Sequence, residues 1–323
     1  MEKSSSRGSL FFSLFFLLAV ATGLWQRQAI YDWYRLRDYS PSAEIVALAD
    51  ATTMNDKGRH IFYVYHPSLE GKESFNTRCT NNESSIVLGC YVQHQGIYVY
   101  DVTDPRLKGI EEVTAAHEML HAAYDRLSRK EKERIDNLTA QTLAALNNDR
   151  IKETVERYRQ RDPGVVPNEL HSILATEVRE LPKELEDYYA RYFTNRGAIV
   201  VLSEQYEQAF TERQKKIEQY DAQLKSLQQQ ISAVQDSLDA QEKALNSERQ
   251  RLDGMRSRGQ LEAYNAAVPG FNAQVRQYNA DVARARSLID QYNQVVAARN
   301  ALAVEENELI KAIDSRPSAI ETE

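Results

Sequence analysis

Five residues near the middle of the chain, His117-Glu118-Met119-Leu120-His121, have the types and spacing for metal-assisted hydrolysis. On a helix, positions i and i+4 project from one face, so both imidazoles can reach a single Zn2+. Glu118, one residue on from the first histidine, then stands beside a metal-bound water. The ion lowers the pKa of that water and polarises a scissile carbonyl, while the glutamate takes the proton and passes it to the leaving amine. His117 and His121 are therefore candidate ligands of one zinc per chain, and Glu118 is the candidate general base. Val113, Leu120 and Tyr124 share the helical face of the two histidines, which reads as an inward stripe where the imidazoles need partners.

A catalytic zinc needs a third protein ligand and keeps its fourth position for water. Tyr124 and Leu127 occupy the positions where a metzincin extension has Gly and His, so that class is excluded. The stretch from Asn168 to Leu181 reads as a helix with Leu170, Ile173, Leu174, Val178 and Leu181 on one stripe, and Glu177 falls in the middle of it. A carboxylate there must be paired or metal-bound. Glu177 is the first choice of third ligand, with His171 and Glu169 as alternatives and a salt bridge to an arginine as the metal-free reading. Asp125, one turn beyond His121, is a candidate for orienting an imidazole.

The elements that must position these groups follow from the pattern around them. His60 to Tyr65, Ile86 to Val92 and Ile97 to Tyr100 are β-branched and aromatic runs that read as strands, the last two joined as a hairpin through Gln93 to Gly96. From Ile110 the apolar period becomes helical and stays so to about Arg196, with breaks at Asp162-Pro163-Gly164 and Pro167. The chain's two cysteines, Cys79 and Cys90, read as one loop-closing disulfide formed in an oxidising space. The apolar run from Leu10 to Trp25 reads as an uncleaved membrane anchor, with a cleaved signal peptide as the alternative because Ala19-Val20-Ala21 fits a cleavage site.

Beyond Ile199 the chain changes character. Ile217, Leu224, Ile231, Leu238, Leu245 and Leu252 fall at a, and Tyr220, Leu227, Val234, Gln241, Glu248 and Met255 at d, of an unbroken heptad register. A second register has Leu261, Val268, Val275, Val282, Ile289 and Val296 at a, with Tyr264, Phe271, Tyr278, Ala285 and Tyr292 at d. The two are offset by two residues, which would rotate a continuous helix by about 200°. A turn within Met255 to Gly259 resolves the conflict and predicts an antiparallel hairpin burying Leu224, Leu227, Ile231 and Val234 against Val275, Tyr278, Val282 and Ile289. Pro269 should kink the second arm.

The reading is an α+β chain of four parts: an anchor or signal segment (1–27), a metallopeptidase-like domain with a small sheet and helices (28–198), a coiled-coil hairpin (199–315) and a disordered tail (316–323). Composition narrows the partners. With 40 basic against 47 acidic residues and a net charge of -7, there is no basic surplus to hold a phosphate backbone, which excludes nucleic acid. A mean hydropathy of -0.58 excludes a multispanning membrane protein.

His117 to His121, followed by the glutamate-bearing helix, resembles the zincin metallopeptidases of gluzincin type. That resemblance implies a sheet edge beside the H-E-x-x-H helix, a glutamate on a later helix as third ligand, and a Tyr or His that stabilises the oxyanion. Tyr188, Tyr189, Tyr192 and His171 are the candidates for that last role. More closely, Leu88-Gly89-Cys90-Tyr91, Gly96-Ile97-Tyr98, Asp101 to Leu107, Glu111 to Asp125 and Glu169 to Leu174 look similar to membrane-anchored metallopeptidase-like proteins of bacteria with reduced genomes, over about residues 25 to 200. The expected function is a membrane-anchored, extracytoplasmic zinc endopeptidase acting on a protein or peptide, with a protein partner engaged through the coiled coil. The alternative is a membrane-tethered coiled-coil scaffold whose zincin-like domain is structural or inactive. The intact Glu118 favours the enzyme, because a structural zinc needs no base.

Overall fold

The computed structural model describes residues 26–79 and 86–316. The chain divides into two units, one running to Gln208 and resuming at Lys311, the other comprising Ala209–Ile310. The division falls about ten residues later than the sequence suggests, because the first turns of the long helix α10 (Arg196–Ser257) belong to the first unit: Ile199 is fully buried in its core.

The first unit opens with α1 (Arg27–Leu36), α2 (Ala43–Ala51) and α3 (Asp56–Val64). The last of these corrects the strand expected at His60 to Tyr65. Asn55 caps the helix by accepting from the amides of Lys57 and Gly58, and Ile61, Phe62 and Val64 are buried at helical spacing. Packing decides the case: a Cβ at Gly58 would lie 2.4 Å from the Tyr192 carbonyl oxygen, so the first turn of α3 sits directly on the chain that follows the last short helix. Tertiary contact here overrides the β preference of the aromatic run.

Three strands follow, β1 (Ser68–Glu70), β2 (Gly89–Val92) and β3 (Gly96–Tyr100), with the short helix α4 (Lys72–Arg78) between the first two. They form one sheet in the order β1-β3-β2, with β1 parallel and β2 antiparallel to the central β3. The expected hairpin is present, shortened to start at Gly89. β2 is an edge strand. The Cys79–Cys90 disulfide ties it to the end of α4, and constraint of a loop of this size stabilises by about 3 kcal/mol.

Next come α5 (Ile110–Asp125), α6 (Arg129–Ala145), α7 (Asp149–Arg161), α8 (Val166–Glu177) and α9 (Lys183–Tyr189). α5 is the central element. Gly109 starts it at φ +103°, where a Cβ would meet the Leu202 carbonyl oxygen at 2.8 Å, and Ala115, Ala116, Met119, Leu120 and Ala122 are fully buried. It packs along α8 and beneath β2 and β3. α8 begins with Pro167 in its first turn, where the missing amide costs nothing. It stops at Glu177, because Val178 is extended and Arg196 donates to the carbonyls of Ala175, Val178 and Arg179. The helix expected to run on to Leu181 is therefore shorter.

The second unit is the stretch of α10 from Ala209 onward together with α11 (Leu261–Ile313) as far as Ile310. Gly259, at φ +75°, ends α10: its amide donates to the Arg256 carbonyl and that of Gln260 to Met255, the paired bonds of a Schellman cap. The turn falls where the two registers collide. The arms run antiparallel, since Arg299 pairs with Asp221 at 2.7 Å and Gln241 donates to Asp281 at 2.7 Å. On α10 the expected seam is seen, with Leu227 and Val234 buried and Leu224, Ile231 and Leu238 beside them. In the seam on α11 the buried residues are Leu288 and Val295, flanked by Ala285 and Tyr292, with Leu309 buried further along, while Ile289 is 44% exposed. This corrects the facing set. Val282, Ala285 and Leu288 follow one another at two successive three-residue steps, a stammer that moves the seam back by one position. α11 continues through Pro269.

After α11 the chain returns to the first unit, where the Ser315 hydroxyl donates to the Val87 carbonyl and Asn76 donates to that of Ser315. The rest of the expected tail, 317–323, and the expected anchor, Leu10 to Trp25, lie outside the described residues. Among the described residues no helix is long and apolar enough to cross a membrane. The expectation of a single-pass transmembrane protein is corrected accordingly: α10 and α11 have ample length, but both carry charge throughout and bury only one stripe.

Candidate metal centre

α5 carries His117 and His121 one turn apart, with their rings edge to face at a centroid distance of 4.7 Å. Opposite them, the first turn of α8 presents Glu169. One carboxylate oxygen lies 3.5 Å from His117 Nε2 and the other 3.6 Å from His121 Nε2, and a ligand atom from each residue lies within 4.8 Å of the others. Ligands about 2.1 Å from a tetrahedral Zn2+ are spaced by roughly 3.4 Å, so this set is close to the shape such an ion needs. The donor chemistry also fits. Glu169 Oε2 is buried without a hydrogen-bond partner, which a bound cation would supply. Burial by itself would raise the Glu169 carboxyl, but the imidazoles of His117 and His121 and the Tyr158 hydroxyl outweigh it and leave the pKa below its usual value.

The third member is thus Glu169, and Glu177 stands elsewhere. Its carboxylate receives Arg150 at 2.8 Å, and the same guanidinium holds Glu207 at 2.7 Å. The physical reason is the end of α8. The stripe of Leu170, Ile173, Leu174 and Val178 is buried as expected, but Glu177 at the helix end meets Arg150, the salt bridge of the metal-free reading, and the face turned toward α5 is that of Glu169 and Ser172. The Ser172 hydroxyl lies 3.4 Å from His121 Nδ1, the nitrogen turned away from the centre, which is the position of a group that orients a ligand. Asp125, expected in that role, faces Lys132 instead at 3.8 Å.

Glu118 is buried between α5 and the sheet edge, where its carboxylate accepts the Tyr91 amide of β2. Desolvation pushes its pKa up to about 7, against the pull of His121 and that amide and with the help of Glu169. The approach of β2 depends on Gly89, for a Cβ there would sit 2.5 Å from Thr114 Cγ2 and 2.8 Å from Glu118 Cγ. No other residue fits that position without moving Glu118 or Thr114. His117, Glu118 and Gly89 open onto a cleft of about 680 Å3, lined on one side by Ile86, Val87 and Leu88 and on the other by Thr154, Arg157, Tyr158 and Arg161 of α7.

His171 and Tyr188, candidates for the oxyanion role, are held by each other. His171 is fully buried with its Nε2 3.0 Å from the Tyr188 hydroxyl and its ring among Tyr124, Tyr188 and Tyr189, and burial pushes its pKa down to about 3. Neither lines the cleft, whereas Tyr158 and Tyr206 do. Ser172, Tyr158 and Gly89 are the site residues that reading the sequence for ligands overlooks. Ser172 and Thr176, small polar residues three and seven beyond Glu169 and so on its helical face, are the signal that marks the face turned toward the histidines. Compared with protein-family models, curated proteins and solved structures, the chain has no match.

Proposed function

We propose that this chain is a zinc-dependent peptidase in which His117, His121 and Glu169 hold the metal and Glu118 is the general base. A zinc bound there would activate a water and polarise a peptide carbonyl. Glu118, shielded from solvent and steadied by the Tyr91 amide, is placed to take up and return a proton near neutral pH. Tyr158, on the cleft wall, donates its hydroxyl to Glu169 and would steady that carboxylate as a ligand. The observation that carries the reading is Glu118 itself: a buried, unsalted carboxylate one residue from a metal ligand is expensive to keep, and a metal site serving the fold alone gains nothing from it.

The test uses the full-length chain loaded with zinc. Wild type should contain about one zinc per chain and cleave a pool of fluorogenic peptides, and a chelator should abolish cleavage until zinc is restored. Glu118→Gln should keep the zinc and lose about 100-fold or more of the rate. Cleavage that survives either treatment would refute the mechanism. Zinc without any cleavage would favour the scaffold.

A further inference from the structure

Three consecutive residues of β2 are gripped from both faces of the sheet. Successive side chains of a strand point to opposite sides, so Gly89 and Tyr91 share one face and Cys90 takes the other. On the first face Gly89 makes room for Glu118, whose Oε1 would lie 2.9 Å from a Cβ at that position. Tyr91 adds its amide, which donates to the Glu118 carboxylate. The register explains why this amide is turned that way. The Tyr100 amide donates to the Leu88 carbonyl at 2.8 Å, so Leu88 and Tyr100 are a hydrogen-bonded pair, and alternation makes Tyr91 and Ile97 a pair whose amides point out of the ladder. On the opposite face Cys90 is bonded to Cys79 at the end of α4, within a cluster that includes Phe75, Tyr98 and Tyr100. The same helix holds the approach to the strand a second time: Asn76 donates to the Ser315 carbonyl at 2.8 Å, and the Ser315 hydroxyl donates to that of Val87 at 2.5 Å.

From this arrangement we infer that the Cys79–Cys90 disulfide is a positioning element for Glu118, fixing from behind the strand that seats the carboxylate, so that turnover requires the oxidised bond. The inference rests on the peptidase reading for Glu118 being the base. His117, His121 and Glu169 stand on α5 and α8, so opening the disulfide leaves the metal ligands where they are. A phosphine reductant opens it: the S–S bond breaks, phosphorus gives up two electrons and becomes a phosphine oxide with oxygen from water, and the protons of that water end on the two thiols. β2 then keeps its ladder to β3 but loses the hold of α4 on Cys90. A base displaced by about 1 Å costs up to about 100-fold in rate.

The test compares full-length, zinc-loaded wild type, oxidised and after reduction by the phosphine, with a Cys79→Ser, Cys90→Ser double variant. Hydrogen exchange resolved to single amides reads the seat without any turnover, because the Tyr91 amide is protected by Glu118 and the Tyr100 amide by the ladder. Loss of the disulfide should speed exchange at Tyr91 by about tenfold or more while Tyr100 stays protected. Zinc content should stay the same, and kcat per bound zinc should fall by about 10- to 100-fold. Reoxidation should restore the wild type, and the double variant should not respond to the reductant. Unchanged exchange at Tyr91 would overturn the inference, and so would equal loss at Tyr91 and Tyr100, which would show that the bond holds the whole sheet. Loss at Tyr91 alone with turnover kept would also overturn it, since the seat would then not matter to the rate. Loss at Tyr91 alone in a protein whose oxidised wild type cleaves nothing would leave the seat standing and sink the peptidase reading.

Discussion

Two pairs of helices do different work in this molecule. In the α10–α11 pair each helix buries a single stripe, and its partner is the next element in the chain. In the α5–α8 pair the helices are far apart in sequence, and α5 is covered on nearly every side. An exposed helix has to write its contact face as a period, because everything off that face must be polar. A helix buried all round is under no such obligation. Its apolar residues point to the sheet, to α3 and to α8 alike, so the pattern does not say which neighbour lies on which side.

The contrast can be broken first at the metal. Glu169→Ala should lower zinc affinity by well over 100-fold, more than the loss of an outer partner does, while Glu177→Ala keeps one zinc per chain. Titration with a competing chelator reads both, and the reverse outcome would restore Glu177 as the ligand. Next, Leu120→Ala in α5 should cost about 3 kcal/mol in denaturant unfolding, as a fully buried leucine with neighbours on several sides. Leu288→Ala in α11 should cost about 2 kcal/mol and Ile289→Ala less than about 0.5 kcal/mol. Equal losses at 288 and 289 would return the seam to the simple heptad. The smallest effect is Ser172→Ala, which should weaken zinc binding about tenfold without destabilising the chain.

What could be read in advance follows the same division. The H-E-x-x-H spacing places two candidate ligands and the candidate base on one helix, because all the geometry involved is local. The turn between the coiled-coil arms was legible as a clash of registers, and Gly259 sits where a left-handed residue is needed. The third member of the cluster is narrowed to one helix with Glu169 among its three candidates, while the first choice, Glu177, lies about 12 Å along that helix from it. What ended that helix was Arg196, a side chain that reaches back from α10 to cap it, and no pattern within residues 168 to 181 contains that information. The strand expected at His60 to Tyr65 failed likewise, through a glycine pressed against Tyr192. The stammer lay open in the sequence, yet a/d counting passes over it because Ile289 and Val296 satisfy the heptad as well as Leu288 and Val295 do.

Gly89 gives the arrangement a use in reading other genomes. A side chain at that position collides with Glu118 and Thr114 wherever the edge strand keeps its place. Two marks far apart in the chain, one glycine and one H-E-x-x-H, are therefore bound by a single steric condition. Under the proposed mechanism, a chain of this architecture that retains the motif but carries any larger residue at the aligned position has given up the seat of Glu118, and it is sorted among the inactive copies from sequence alone. A chain that keeps the glycine while losing the glutamate records the opposite history: the scaffold still makes room for a carboxylate that is gone.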